Sequence, residues 1–383
     1  MLLKKIVRNE LMKFLIYVFL LHGMLVFIFP EQYHNSSGWL VYVKYLSLIS
    51  IIVLYIDKLY QYPNLLIYFL SILFMFFFGT VISSRAVLVL NDALYIIPIF
   101  SILLAPSILS VFSKSSIIKY IIIISLVFAI IEFLFFSTIL STYSRHVFRS
   151  SSIFVNPNNL AIIIGIAINY VVCKNVVKFR EQTVLVLASA VTIILSGSKT
   201  GLLLLLLSIL LMFLNKRRAL PSLIILCIGT ATILLLLFVG LGESLNFGFD
   251  LNLRGMELKS GENRLGAYSE FTAKLTGVGS FPRWEFNTHL DNTFFHMWGN
   301  LGLITAVFFI CQHMFIGVLS YKLGSTFLVL FIAFTLSMLT TNIMYIWPAS
   351  YLYWFFCGSV FSYSFVLKKN NNVSNREFAF YEK

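Results

Sequence analysis

The chain has 383 residues, of which 59% are hydrophobic and only 11% charged, with a mean hydropathy of +0.92. Soluble domains carry about 25% charged residues, so this composition excludes an ordinary water-soluble globule. The formal charge of +13 does not indicate nucleic-acid binding, because the basic residues sit in short segments between apolar runs, where they set membrane topology.

Apolar runs recur along the whole chain, and a run of about 20 residues crosses a hydrocarbon core of roughly 30 Å. Inside lipid every backbone amide needs a partner within the protein, which leaves helices or a closed barrel. Runs such as 117–136 and 202–214 lack the alternation of a barrel strand, so the expected class is all-α. About twelve transmembrane helices are predicted, at 14–30, 39–56, 64–83, 93–112, 117–139, 158–173, 182–196, 200–214, 221–241, 291–319, 325–341 and 347–366.

The basic N-terminus leads into an apolar run that ends at Pro30 without a small-residue cleavage site, which reads as a retained first span. Lys44 in the second span can snorkel to the surface. Pro98 and Pro106 are expected to bend the fourth span and open space for a lipid chain. Glu132 in the fifth span is costly in lipid and must face protein or water. It either pairs with a basic residue or lines a site, and structural pairing is the favoured reading. Cys173, Cys227, Cys311 and Cys357 all lie in apolar runs with no CxxC or Cys/His spacing, so neither a disulfide nor a metal site is expected.

With a cytoplasmic N-terminus, basic residues favour the cytoplasmic side by roughly two to one, and both termini are then cytoplasmic. Residues 1–241 hold helices one to nine, 242–290 form one large periplasmic loop, 291–366 hold helices ten to twelve, and 367–383 are a cytoplasmic tail. A loop this long is usually functional or disordered. Its aromatics, glycines and mixed charges favour an ordered one.

Three helix starts on the outer side carry most of the polar chemistry. At Asn156-Pro157-Asn158-Asn159, an N-cap precedes proline at the first helical position. Its free amides favour an anion, and Arg145 and Arg149 lie just upstream with guanidinium forks that suit phosphate. Lipid-headgroup anchoring is the alternative for both. At Ser196-Gly-Ser-Lys-Thr-Gly201, Ser198 can cap the next helix and Lys199 stands at its positive end. That lysine binds an anion or simply snorkels outward. At Thr288-His-Leu-Asp-Asn292, Thr288 and Asp291 form a capping-box-like pair. A helix beginning there would put His289, Asn292, His296 and Gly299 on one face. His296 reads as a packing histidine, Asp291 as a cap, and His289 as the better chemical group.

Arg149-Ser-Ser-Ser-Ile-Phe-Val-Asn-Pro-Asn-Asn-Leu-Ala161 resembles the "R…G-x-F-x-N-P-N-x-L-A" signature of the O-antigen ligase and polymerase superfamily. Leu195-Ser-Gly-Ser-Lys-Thr-Gly201 resembles that family's "L-T-x-S-R-T-x" break, with Lys199 in place of arginine. Glu262-Asn-Arg264 with Gly277-Val-Gly279 is similar to its "S-G-R…G-x-G". Thr288-His-Leu-Asp-Asn292 with Gly299-Asn-Leu-Gly302 is similar to the "H-N/S-x-x-L…x-G" that closes the periplasmic loop. The order of these segments and the late loop agree, so the resemblance covers most of the chain. Here Leu290 and Asp291 separate the histidine from the asparagine, and serine stands where glycine is common. Such divergence is more usual in polymerases than in ligases.

The resemblance implies a GT-C-like membrane fold and a metal-independent, inverting glycosyltransferase without a cofactor. It would move a growing glycan from undecaprenyl pyrophosphate onto a lipid-linked repeat unit at the periplasmic face of the bacterial inner membrane. That chemistry needs a cationic cradle for the departing pyrophosphate, with Arg145, Arg149, Lys199 and Arg264 as the groups and Asn292 beside them. It needs a base for the acceptor hydroxyl, with His289 preferred over Asp291 and Glu262 because its ordinary pKa lies near neutrality. The expected partners are the undecaprenyl-pyrophosphate-linked oligosaccharide, membrane lipid and a chain-length regulator protein, with no nucleic acid. A ligase to lipid A core and a lipid-linked oligosaccharide flippase are the alternatives.

Overall fold

A computed structural model describes residues 10–11, 14–15, 17–18, 39–59, 61–82, 95–105, 116–135, 150–154, 156–174, 177–215, 292–344 and 347–370. All regular structure among these residues is helical. Ten α-helices have their bounds defined: α1 (Trp39–Leu59), α2 (Pro63–Ile82), α3 (Ser116–Phe135), α4 (Pro157–Lys174), α5 (Phe179–Ser196), α6 (Lys199–Asn215), α7 (Thr293–Leu301), α8 (Leu303–Leu323), α9 (Ser325–Thr340) and α10 (Ala349–Asn370). A 310 helix covers Ile97–Leu104 and a short 310 turn covers Ser152–Phe154. Among the described residues, α4, α5 and α8 are long and apolar enough to cross a membrane. The expected span 221–241, the loop 242–290 and residues 371–383 of the tail lie outside the described residues.

Two expected spans differ from the sequence reading. The tenth, 291–319, is divided into α7 and α8 at Gly302, whose φ of 89° suits glycine and strains other residues. The Gly302 amide still donates to Trp298 O at 3.0 Å and its carbonyl accepts from Ala306 N at 3.1 Å, so the break leaves neither group unpaired. The fourth span is a 310 helix over its central residues rather than a bent α-helix, with Pro98 in its first turn. Eight residues is long for this form, which rarely exceeds three or four.

Close backbone approach explains much of the packing. A Cβ added to Gly358 of α10 would lie 2.5 Å from Ile102 O on the 310 helix. A Cβ on Gly165 of α4 would meet Leu204 of α6 at 2.6 Å, and one on Gly201 of α6 would meet Ala161 at 2.6 Å. Small residues at crossing points are how helices associate where lipid removes the hydrophobic drive between them. Asn169 Nδ2 seals the α4–α6 pair by donating to Gly165 O at 2.7 Å and Leu204 O at 2.9 Å.

A buried polar layer links α2, α8, α9 and α10. Gln312 Nε2 donates to Tyr68 OH at 2.8 Å, and Tyr353 OH donates to Gln312 Oε1 at 3.2 Å. His313 Nδ1 lies 3.0 Å from Tyr353 OH, and its Nε2 lies 3.0 Å from Thr335 Oγ1. Phe331 stacks on the imidazole at a ring separation of 4.6 Å. The Gln312-His313 pair sits in the middle of an apolar run, and its sequence context gave no reason to expect a network.

Among the described residues, basic side chains divide unequally between the two ends of the bundle. Lys119 near the start of α3, Lys174 at the end of α4, Lys178 and Arg180 at the start of α5, and Lys322 at the end of α8 lie at one end. Lys119 pairs there with Glu181. Lys199 lies at the opposite end, at the start of α6.

The Gly358–Ile102 contact has a direct consequence. Gly358→Val should destabilise the protein by about 1–3 kcal/mol, since a backbone oxygen cannot swing aside as a side chain can. Thermal unfolding of the purified chain in lipid nanodiscs measures this, and an unchanged Tm would disprove the close approach.

Candidate functional site

The starts of α4, α6, α7 and α10 and the ends of α3, α5 and α9 meet at the end of the bundle that holds Lys199. Helix ends leave amides and carbonyls unpaired, and buried ones need partners. Here one helix end satisfies another.

Segment 150–159 shows how. Glu132, 1% exposed near the end of α3, accepts from Ser150 Oγ at 2.6 Å and from the Ser151 and Ser152 amides at 2.9 Å each, all at Oε2. These amides open the short 310 turn, so the carboxylate caps it. Among the described residues its donors are a hydroxyl and two amides rather than the basic side chain expected for it. Ser152 adopts φ 46°, and its hydroxyl donates to Ser125 O at 2.9 Å. Ser150 N donates to Leu195 O at 2.8 Å, joining the segment to the last turn of α5.

Asn156 caps α4 as the sequence indicates: its Oδ1 accepts from Asn158 N at 2.8 Å, ahead of Pro157 at the first helical position. Asn159, in the first turn, donates from Nδ2 to Trp347 O at 2.8 Å. Gly197, with φ 61°, turns the chain from α5 into α6. Ser198 Oγ accepts from Gly201 N at 3.4 Å, the expected cap, and leaves Lys199 exposed at the helix start.

The segment after α9 ties the rest together. Thr200 Oγ1 donates to Thr340 Oγ1 at 2.9 Å and lies 3.1 Å from Thr341 Oγ1. Thr293 Oγ1 donates to Thr341 O at 3.0 Å and accepts from Ile343 N at 3.1 Å. Asn292 Oδ1 accepts from Phe294 N at 2.9 Å and Phe295 N at 3.3 Å, while its Nδ2 donates to Leu339 O at 3.3 Å. Lys199 and Asn292 therefore belong to one end of the molecule, connected through threonines.

Asn292 is the N-cap of α7, with an extended backbone at φ −97° and ψ 125°. The expected capping box of Thr288 and Asp291 lies outside the described residues. Of the expected stripe, Asn292, His296 and Gly299 lie at and after this cap, whereas His289 lies outside the described residues. His296 Nδ1 lies 2.8 Å from Tyr95 OH, which matches the packing role favoured for it. Arg145, Arg149, Glu262, Arg264, His289 and Asp291 lie outside the described residues.

Sequence reasoning missed Thr200, Thr293, Thr340, Thr341, Asn342 and Trp347. The available signal was the polar Thr340-Thr341-Asn342 break between two apolar runs. Chemically, four helix starts bring partial positive charge to one end, where a lysine already stands. Such an end suits an anion.

The Glu132 cap can be tested. Glu132→Leu leaves two amides and a hydroxyl without their acceptor and should cost about 2–5 kcal/mol of stability. Glu132→Gln keeps an acceptor oxygen and should cost about half as much. Thermal unfolding of both variants in nanodiscs distinguishes them, and equal Tm values would show that the carboxylate charge contributes nothing. Compared with protein-family models, with curated proteins and with solved structures, the chain has no match.

Proposed function

We propose that the chain is a surface-polysaccharide polymerase of the bacterial inner membrane. It transfers a growing glycan from undecaprenyl pyrophosphate onto a lipid-linked repeat unit at the periplasmic face. The single observation that supports this most is the joining of α4, α6, α7 and α10 starts with Lys199 at the bundle end opposite Lys119, Lys174, Lys178, Arg180 and Lys322. Positive charge concentrates on cytoplasmic sides, so the end with Lys199 is the periplasmic one in this reading. Both termini are then cytoplasmic.

The chemistry follows from that placement. The leaving pyrophosphate gains negative charge as the glycosidic bond breaks, and cations fixed beforehand stabilise it without reorganisation. Lys199, Arg149, Arg145 and Arg264 serve as the cradle, with Asn292 beside it, in place of a metal ion. His289 takes the proton of the attacking hydroxyl, with the carboxylates Asp291 and Glu262 as the alternative bases. A chain-length regulator would act on this enzyme from outside the bundle.

A second reading, a lipid-linked oligosaccharide transporter, gains support from the buried layer of Tyr68, Gln312, His313, Thr335 and Tyr353. Polar residues inside spans often mark transport paths. These groups bond to one another, however, which suits a packed layer better than a path. A ligase to lipid A core would share the polymerase chemistry.

The surface glycan of a deletion strain separates these readings. Loss of a polymerase leaves lipid A core bearing a single repeat unit and removes the long ladder. Loss of all attached glycan, with lipid-linked polymer accumulating, would identify a ligase instead.

Substitution in the same strain tests the roles. His289→Ala should lower polymer formation by about two to four decades, the usual contribution of a positioned base. Lys199→Ala removes one charge-assisted contact worth roughly 1.5–3 kcal/mol and should slow transfer by about one to two decades. Wild-type chain lengths in a stably expressed His289→Ala variant would remove that residue from catalysis.

A further inference from the structure

Two asparagines at the junction each hold a buried polar atom with no hydrogen-bond partner among the described residues. They are Asn159 Oδ1 and Asn342 Nδ2, on side chains 5% and 4% exposed. Each amide uses its other atom structurally: Asn159 Nδ2 donates to Trp347 O at 2.8 Å, and Asn342 Oδ1 accepts from Met344 N at 3.2 Å. One spare acceptor and one spare donor therefore remain beside the hydrogen bonds that join these helix ends. Leaving a buried polar atom unsatisfied is costly.

Both residues belong to the junction. Asn342 follows Thr341, which bonds to Thr200 and Thr293, and Asn159 lies two residues after Pro157 at the start of α4. Trp347, half-buried, bonds to Asn159 through its backbone oxygen and adds an aromatic ring to the junction, 6.5 Å from the ring of Phe154. A spare amide donor, a spare amide acceptor and an indole form a set that matches a sugar, whose hydroxyls donate and accept and whose C–H face is apolar. A phosphate, which only accepts, would leave Asn159 Oδ1 unused.

We infer that Asn342 and Asn159 recognise sugar hydroxyls of the lipid-linked glycan at this junction, with Asn342 donating and Asn159 accepting. This rests on the polymerase reading and assigns residues for the glycan, distinct from the cationic groups for the pyrophosphate. A site built to bond a hydroxyl discriminates strongly against a ligand that lacks it.

The test uses the full-length protein in nanodiscs and two probes. One is undecaprenyl pyrophosphate, which carries no sugar. The other is the lipid-linked repeat unit extracted from a strain lacking this chain. The wild type should bind the repeat unit more tightly than the bare lipid. Asn342→Leu removes the donor, and Asn342→Asp keeps the oxygen that accepts from Met344 while replacing the amide donor. Each should cut the preference for the repeat unit by a few-fold to about tenfold, with affinity for undecaprenyl pyrophosphate unchanged. If Asn342→Leu does not fold, Asn342→Asp carries the test alone. An unchanged preference in a folded variant overturns the inference and leaves the pyrophosphate cradle standing. A wild type that binds neither probe overturns the polymerase reading and this inference with it.

Discussion

Glu132 is the one carboxylate buried among the described residues, and the geometry of the junction depends on what it accepts. A carboxylate in a membrane helix is tolerable only if its oxygens are met by strong donors. The chain supplies them from Ser150, Ser151 and Ser152 and so forces that segment to fold back against α3. The positive φ at Ser152 and the bond from Ser150 N to Leu195 O are costs and gains of the same arrangement. With the segment fixed, the Asn156 cap and the start of α4 are placed against α5, and the turn that carries Lys199 follows two residues beyond Leu195. A single buried charge thus sets where two of the polar helix starts lie relative to each other.

Threonine does for the other elements what serine does here. A hydroxyl both donates and accepts, so Thr293 can accept the Ile343 amide while giving its own proton to Thr341 O. Thr200 joins α6 to the end of α9 in the same manner. Neutral hydroxyls close helix ends without adding charge, which leaves the positive ends of the helices uncompensated from within. That residual field, together with Lys199, is what an anionic ligand would meet.

Helix existence was legible in the sequence because the membrane demands long apolar runs, and α4, α5, α6 and α9 begin and end within a few residues of expectation. The caps at Asn156 and Ser198 were legible because proline and glycine punctuate them. The break at Gly302 was not, since the apolar pattern continues unchanged across it and glycine is common in membrane helices. The cap at Asn292 was not anticipated, because the Thr288–Asp291 spacing drew attention to a helix start further upstream. The pairing of Glu132 with serines escaped because long-range partners leave no trace in local spacing, and the Gln312–His313 layer escaped for the same reason. Most of the proposed charged site falls in segments 136–149 and 216–291, outside the described residues.

The two polar layers differ in a way that bears on function. Around His313 every polar group named has a partner within the layer, and four aromatic rings surround the imidazole at 4.6–6.2 Å. Such closure favours a fixed alignment of α2, α8, α9 and α10 over exchange with a ligand. At the junction, by contrast, Asn159 and Asn342 each keep a spare amide atom beside the one that bonds to backbone. Where a membrane protein closes one layer fully and leaves the next one open, the closed layer holds the helices in place. The open layer is then the one with bonding capacity left for a ligand, and it lies at the end where the helix starts and Lys199 favour an anion.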